Sequence, residues 1–189
     1  MTGTPPVVLD ACVLANFSLC DTLLRLAEPP RLFEPKWSEQ IIRETTRTLG
    51  SKLGWPSALT AHLEAELRAH FSEAWINDYE PLIPRMTNDE KDRHVVAAAV
   101  HGGARIIVTF NLRHFMPAHL KPWGVRALHP QSFLIGILRQ EQPLVMAKLE
   151  QQAADRGRSL QQLLDILSAT VPDFVAAVSA AGCPRSALE

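Results

Sequence analysis

The chain has 189 residues, with 19 Lys+Arg against 20 Asp+Glu and a formal net charge of −1. That balance excludes a polybasic nucleic-acid coat and an acidic, tail-bearing regulator. With 47% hydrophobic and 21% charged residues the chain is not disordered, and its length suits one domain of about 150 residues plus an appendage.

Taken in chain order, residues 1–6 carry no basic leader, and Val7-Val8-Leu9 is a short apolar run ending at Asp10, the pattern of a buried parallel strand. Residues 13–26 have helical spacing and stop at Pro29-Pro30, and residues 31–34 read as a second strand. Pro35 and Ser38 open a helix to Leu49, with Gly50 as its stop. A further helix spans residues 57–75, and 77–84 is rich in turn residues. Asn88 or Asp89 caps a helix through His101, closed by Gly102-Gly103. Residues 105–109 form a clear apolar strand, 125–127 another, and 133–139 a helix. From Gln140 the strands cease, and 144–154, 159–169 and 172–180 are helical. Strands alternating with helices predict an α/β domain with a parallel sheet over residues 1–139, followed by a helical extension over 140–189.

No apolar run approaches the roughly 18–20 residues that cross a bilayer. Cys12, Cys20 and Cys183 are odd in number and form no metal or disulfide pattern. A cytoplasmic protein without membrane association is expected. Charge is unevenly spread: residues 31–56 hold five basic and three acidic side chains, 85–126 seven and three, 57–84 one and five, and 140–189 four and six. Nucleic-acid binding needs a local basic surface and not a basic protein, although solvated faces give the same counts.

Four positions carry chemistry. Asp10 ends the first strand, at the sheet edge where parallel α/β folds bind ligands, and Asn111 follows the 106–109 strand to the same edge. Asp92 heads the apolar stripe of Val96 and Ala99, and Glu44 sits beside Ile41. Three carboxylates at the rim of a core repel one another unless a cation neutralises them. Hard oxygen donors without a thiolate or histidine cluster suit Mg²⁺ or Mn²⁺, which lower the pKa of a bound water and stabilise a scissile phosphate. Singly, each acid has an ordinary reading: Asp10 as a helix cap, Glu44 as an i,i+3 partner of Arg47, Asp92 as a first-turn residue. Asp89 reads as a cap or an outer-shell ligand. The seven histidines form no zinc motif and take surface or capping roles. A phosphatase-type nucleophile at Asp10 would want a second Asp at position 12, where Cys12 stands. Trp37, Trp55, Trp75 and Trp123 are scattered packing residues, not a base-stacking platform.

Four stretches, Val7-Val8-Leu9-Asp10-Ala11-Cys12, Pro35-Lys36-Trp37-Ser38 through Arg43-Glu44, Asn88-Asp89-Glu90-Lys91-Asp92-Arg93-His94 and Ile106-Ile107-Val108-Thr109-Phe110-Asn111, occur in one order over residues 7–135. Together they resemble the PIN-domain family, in particular the VapC-like ribonuclease toxins of bacterial toxin–antitoxin pairs, in a branch with a C-terminal helical extension. The resemblance implies a three-layer α/β/α domain with a central parallel sheet. It also implies a Mg²⁺- or Mn²⁺-dependent endoribonuclease that hydrolyses RNA phosphodiesters by metal-activated water, leaving 5′-phosphate and 3′-hydroxyl ends. Asp10, Glu44 and Asp92 would be the metal ligands, with Asn111 completing the catalytic set where many members have a fourth acid. Thr109, Asp89 and Ser38 would support them. Arg93, Arg113, Lys36 and Arg43 are candidates for RNA phosphate contacts, or else surface charges. The implied partners are a single-stranded or tRNA-like RNA, a cognate antitoxin and a second copy in a homodimer. Two alternatives remain: a PIN-like binding module without catalysis, and a structure-specific DNA nuclease.

Overall fold

Val7, Val8 and Leu9 are fully buried because their strand, β1 (Pro6–Leu9), lies at the centre of a five-stranded sheet. A computed structural model describes residues 4–182 of the chain. The N-terminal residues 1–3 and Cys183, both part of the sequence reading, lie outside the described residues, as does the rest of the tail. The other strands are β2 (Glu34–Ser38), β3 (Trp75–Ile76), β4 (Ile106–Val108) and β5 (Arg126–Leu128). Their order is β3-β2-β1-β4-β5, and every pairing is parallel. The register Leu9↔Val108 brings the C-terminal ends of β1 and β4 level, so Asp10 and Thr109 leave the sheet side by side.

Ten helices surround and extend this sheet among the described residues: α1 (Ala11–Leu14), α2 (Phe17–Ala27), α3 (Glu39–Leu53), α4 (Ser57–His70), α5 (Arg93–His101), α6 (Pro117–Leu120), α7 (Pro130–Gln140), α8 (Gln142–Asp155), α9 (Leu160–Ser168) and α10 (Pro172–Gly182). The α/β class and central parallel sheet are those expected from the alternation of elements. Helix α5 packs across β1, β2 and β4, and its run Val95–Ala99 is buried throughout because small residues let it lie close to the sheet.

Several boundaries differ from those expected. The second strand lies at Glu34–Ser38 and not at 31–34, so it contains Pro35. Proline lacks an N–H, and Glu34 donates to Pro5 of the β1 side at 2.9 Å; alternation turns the missing donor of Pro35 away from β1, towards β3, which pairs only from Trp37 onward. The predicted helix over 13–26 divides at Asn16, whose side chain caps α2 by accepting from Leu19 N–H. Helix α3 runs through Gly50 to Leu53 and ends on Gly54, whose φ of 69° is the left-handed conformation that glycine adopts without strain. Residues 57–75 are helical only to His70; Trp75 and Ile76 instead form the short edge strand β3.

The helices after residue 140 pack on α2 and α7. Val145, Val171 and Phe174 are fully buried there. Buried polar groups fix the contact as well: Thr22 donates to Gln152 at 3.0 Å, and Gln152 in turn donates to Asp21 at 3.0 Å. Burial of this kind ties the helical segment to the stability of the sheet domain. Phe174→Ala is expected to cost about 3–5 kcal/mol and to shift one cooperative urea transition; a separate early transition, with the remainder unchanged, would contradict this coupling.

Candidate functional site

The site is built where β1 and β4 end. Asp10 is 3% exposed and is also the N-cap of α1, so the capping role is real: its Oδ1 accepts from Ala11 N–H at 2.7 Å. Its Oδ2 accepts from the Thr109 hydroxyl at 2.6 Å and the Cys12 thiol at 3.1 Å. Thr109 Oγ1, with its proton given to Asp10, accepts from Asn111 N–H at 3.0 Å. One hydroxyl therefore links the loop carrying Asn111 to the Asp10 carboxylate. Burial, and after it the Asp10 charge, pushes the Cys12 thiol up to about 12; it remains protonated, a packing group and hydrogen-bond donor rather than a nucleophile.

Asp92 is the N-cap residue of α5, one place before the helix, and makes no side-chain capping bond. Its Oδ2 lies 2.7 Å from His114 Nδ1. Burial raises its carboxyl above the ordinary range; the His114 hydrogen bond opposes this, and the charges of Asp10 and Asp89 add to it. Asp89 is exposed and caps the short turn before α5 by accepting from Lys91 N–H at 3.2 Å. Ligand atoms of Asp89, Asp92 and His114 all lie within 4.8 Å of one another, the one such group of three acidic, histidine or cysteine side chains among the described residues. Asp10 and Glu44 are outside that group, although the Asp10 charge is felt at Asp92.

Glu44 projects from α3, with Gln40 donating to its Oε1 at 3.2 Å. His94, expected at the surface or a cap, is 3% exposed, and its Nε2 sits 3.2 Å from the same Glu44 oxygen. The distance is that of an ion pair, but the contact does not meet hydrogen-bond geometry, and neither ring nitrogen has another partner. Burial raises the Glu44 carboxyl, but His94, Gln40 and Arg47 outweigh it and hold the group below its ordinary value. Ser38 is fully buried and caps α3 through Ile41 N–H at 3.3 Å. His94 and His114 are the groups that sequence reasoning missed. The signal for His94 was its place in the uninterrupted buried run of α5; His114 gave none beyond lying three residues after Asn111.

The four cationic candidates separate. Lys36 donates to Glu73 O at 2.8 Å, and Arg43 lies 3.7 Å from Glu39 on the surface. Arg93 donates to Asn88 O at 3.2 Å, and Arg113 to His114 Nε2 at 3.2 Å. Of the four only Arg113 reaches an apolar cleft of about 810 Å³ lined by Ile106, Leu112, Met116 and Val125, with Arg105, Lys121 and Arg126 also in its walls. The cleft is not at the carboxylates, but Arg113 belongs to both.

Among the described residues no lysine or arginine pairs with Asp10, Asp89 or Asp92. A set of carboxylate oxygens without a lysine or arginine partner fits a divalent cation of the Mg²⁺ or Mn²⁺ kind. Because Asp92 has its pKa raised on folding, its ionisation weakens the fold as pH climbs through the folded value. In EDTA, Asp92→Asn is therefore expected to raise the melting temperature by a few degrees at neutral pH, with the gain disappearing below the ordinary carboxyl pKa. A lower melting temperature at neutral pH would contradict the electrostatic account.

Comparison with known proteins agrees with the fold. The family model described as "PIN domain" matches residues 6–113. A protein of Mycobacterium tuberculosis named "Putative ribonuclease VapC50" is 37% identical over 135 residues, which cover 69% of this chain and 77% of that protein. No solved structure gives a significant match.

Proposed function

Because the chain belongs to the PIN-domain family, we propose that it is a VapC-like, metal-dependent endoribonuclease and the toxin of a toxin–antitoxin pair. The observation that carries this reading is the placement of Asp10 and Asp92 beside the ends of β1 and β4, with Asp92 held by His114 and neither acid paired with a lysine or arginine among the described residues. In this reading Asp10, Glu44 and Asp92 hold Mg²⁺ or Mn²⁺, with Asp89 as an outer support. The ion, when bound, supplies Lewis-acid stabilisation of the scissile phosphate and acidifies a water for attack. The protein's own part is positioning and electrostatics. Thr109 fixes one oxygen of Asp10 and the backbone of Asn111 together, while the Asn111 amide orients water or a phosphate oxygen without adding charge. Arg93 and Arg113, next to Asp92 and His114 in sequence, bring guanidinium groups to the RNA backbone. The cleft walled by Arg105, Lys121 and Arg126 extends the same cationic surface. Lys36, whose ammonium is engaged by Glu73, contributes least.

Asn111 in place of a fourth acid favours a second reading, a binding module without catalysis. Both are tested on purified wild type and Asp10→Asn, incubated with total RNA and with Mg²⁺, Mn²⁺ or EDTA. Cleavage is expected only with metal, to leave 5′-phosphate ends, and to fall by more than about 100-fold in the variant. Equal cleavage by both proteins in EDTA overturns the mechanism. RNA binding with no Mg²⁺ uptake at millimolar ion selects the binding module, and preference for a DNA flap or hairpin selects a DNA-directed nuclease.

A further inference from the structure

From sequence alone His114 is a surface histidine and Arg113 a phosphate contact. The structure joins them to Asp92 in one directional chain. Arg113 Nε, which keeps its proton at any pH a folded protein meets, donates to His114 Nε2 at 3.2 Å. That ring nitrogen is therefore the unprotonated acceptor, and a neutral imidazole must then carry its proton on Nδ1. Nδ1 lies 2.7 Å from Asp92 Oδ2, within the range of a hydrogen bond to a charged acceptor. The order of donation runs from guanidinium to imidazole to carboxylate. Among the described residues, His114 is the one side chain bonded to the Asp92 carboxylate, which makes no capping bond of its own. Both side chains of the contact are sheltered, His114 being 25% and Asp92 14% exposed.

We propose that Arg113 and His114 form a positioning relay that aims the Asp92 carboxylate, occupying Oδ2 and leaving Oδ1 for a divalent cation; this rests on the reading of Asp92 as a cation ligand. His114 is a positioning residue and not itself a ligand. Ligation through Nδ1 would move the ring proton to Nε2, against the N–H of Arg113. The same chain gives Arg113 two tasks: its Nε sets the tautomer of His114, and its terminal NH₂ groups are left for the RNA phosphate contact of the proposed function.

The test measures Mn²⁺ affinity of the full chain by electron paramagnetic resonance without RNA, so that any phosphate contact of Arg113 has no bearing. His114→Phe keeps a ring but loses the donor, and is expected to weaken Mn²⁺ binding by about 10-fold or more, the usual effect of removing an outer partner of a ligand. His114→Asn places an amide donor near the Nδ1 position and is expected to recover most of the affinity. Arg113→Met is expected to weaken binding by a smaller factor. Melting curves in EDTA identify any variant that fails to fold, and nitrogen-15 NMR of the wild-type imidazole reads the tautomer independently of every variant. Protonated Nδ1 with bare Nε2 is expected. The Nε2–H tautomer, nitrogen coupling from His114 to bound Mn²⁺, or unchanged affinity in His114→Phe overturns the relay alone. Absence of Mn²⁺ uptake by the wild type overturns the reading of Asp92 as a ligand, and the relay's role with it.

Discussion

A carboxylate held at 3% exposure at the end of a central strand is the constraint to which the rest of the site answers. Leaving such a group unsatisfied would cost several kcal/mol, so Asp10 is surrounded by donors: a backbone N–H, a hydroxyl and a thiol. Each donor has a structural consequence. The N–H of Ala11 starts α1, and the hydroxyl of Thr109 locks the exit of β4 to the exit of β1. The thiol of Cys12 donates as the protonated form, which burial and then the Asp10 charge favour further. The parallel register between β1 and β4 is what makes the Thr109 contact reachable, so sheet pairing and site geometry are one feature.

The other two acids are balanced differently, each by a histidine from another element. Glu44 on α3 meets His94 on α5, and Asp92 before α5 meets His114 after β4. Permanent cations are used elsewhere. Arg31 and Lys36 turn to Glu73, and Arg68 joins Glu39 to Glu64 while lying over the Trp75 ring. Of these, Arg31 with Glu73 sets a cation of 31–56 against an acid of 57–84, while Lys36 and Arg43 also lie beside Glu34 and Glu39 of their own segment. The basic residues of 85–126 are spent less on carboxylates: Arg105, Arg113, Lys121 and Arg126 line a cleft whose walls hold no acid. The basic excess that matters for a polyanion is the second of the two segments.

Sequence pattern reveals most of this fold where an element is long or wholly buried. Val7–Leu9 and Ile106–Val108 are apolar runs with a polar residue at the functional end, and the helices beyond residue 140 keep a regular spacing. It fails where tertiary partners decide. Glu34–Ser38 does not look like a strand because of Pro35, and becomes one only because the side facing β1 needs no donor from that residue. Trp75–Ile76 is too short to show a period. The acids at 10 and 92 stand out by their positions at element ends and Glu44 by its place beside the buried Ile41, whereas His94 and His114 come into contact with them only when α3, α5 and the loop after β4 meet. No spacing rule links residue 94 to residue 44.

Asn111 can be understood from the same contacts. Thr109 Oγ1 has one proton, which goes to Asp10, and accepts from the Asn111 backbone N–H. Placement of residue 111 therefore depends on its main chain and on Thr109, and is indifferent to whether its side chain ends in an acid or an amide. The change alters charge without altering position. With Asp10, Glu44 and Asp92 as the anionic set, a divalent ion leaves a residual charge of about one unit; a fourth carboxylate would double it and add to the charges of Asp10 and Asp89 that, after burial, lift Asp92. In the proposed reading an amide at this position keeps the residual charge around one divalent cation low, with any second ion depending on the phosphate of the substrate to hold it.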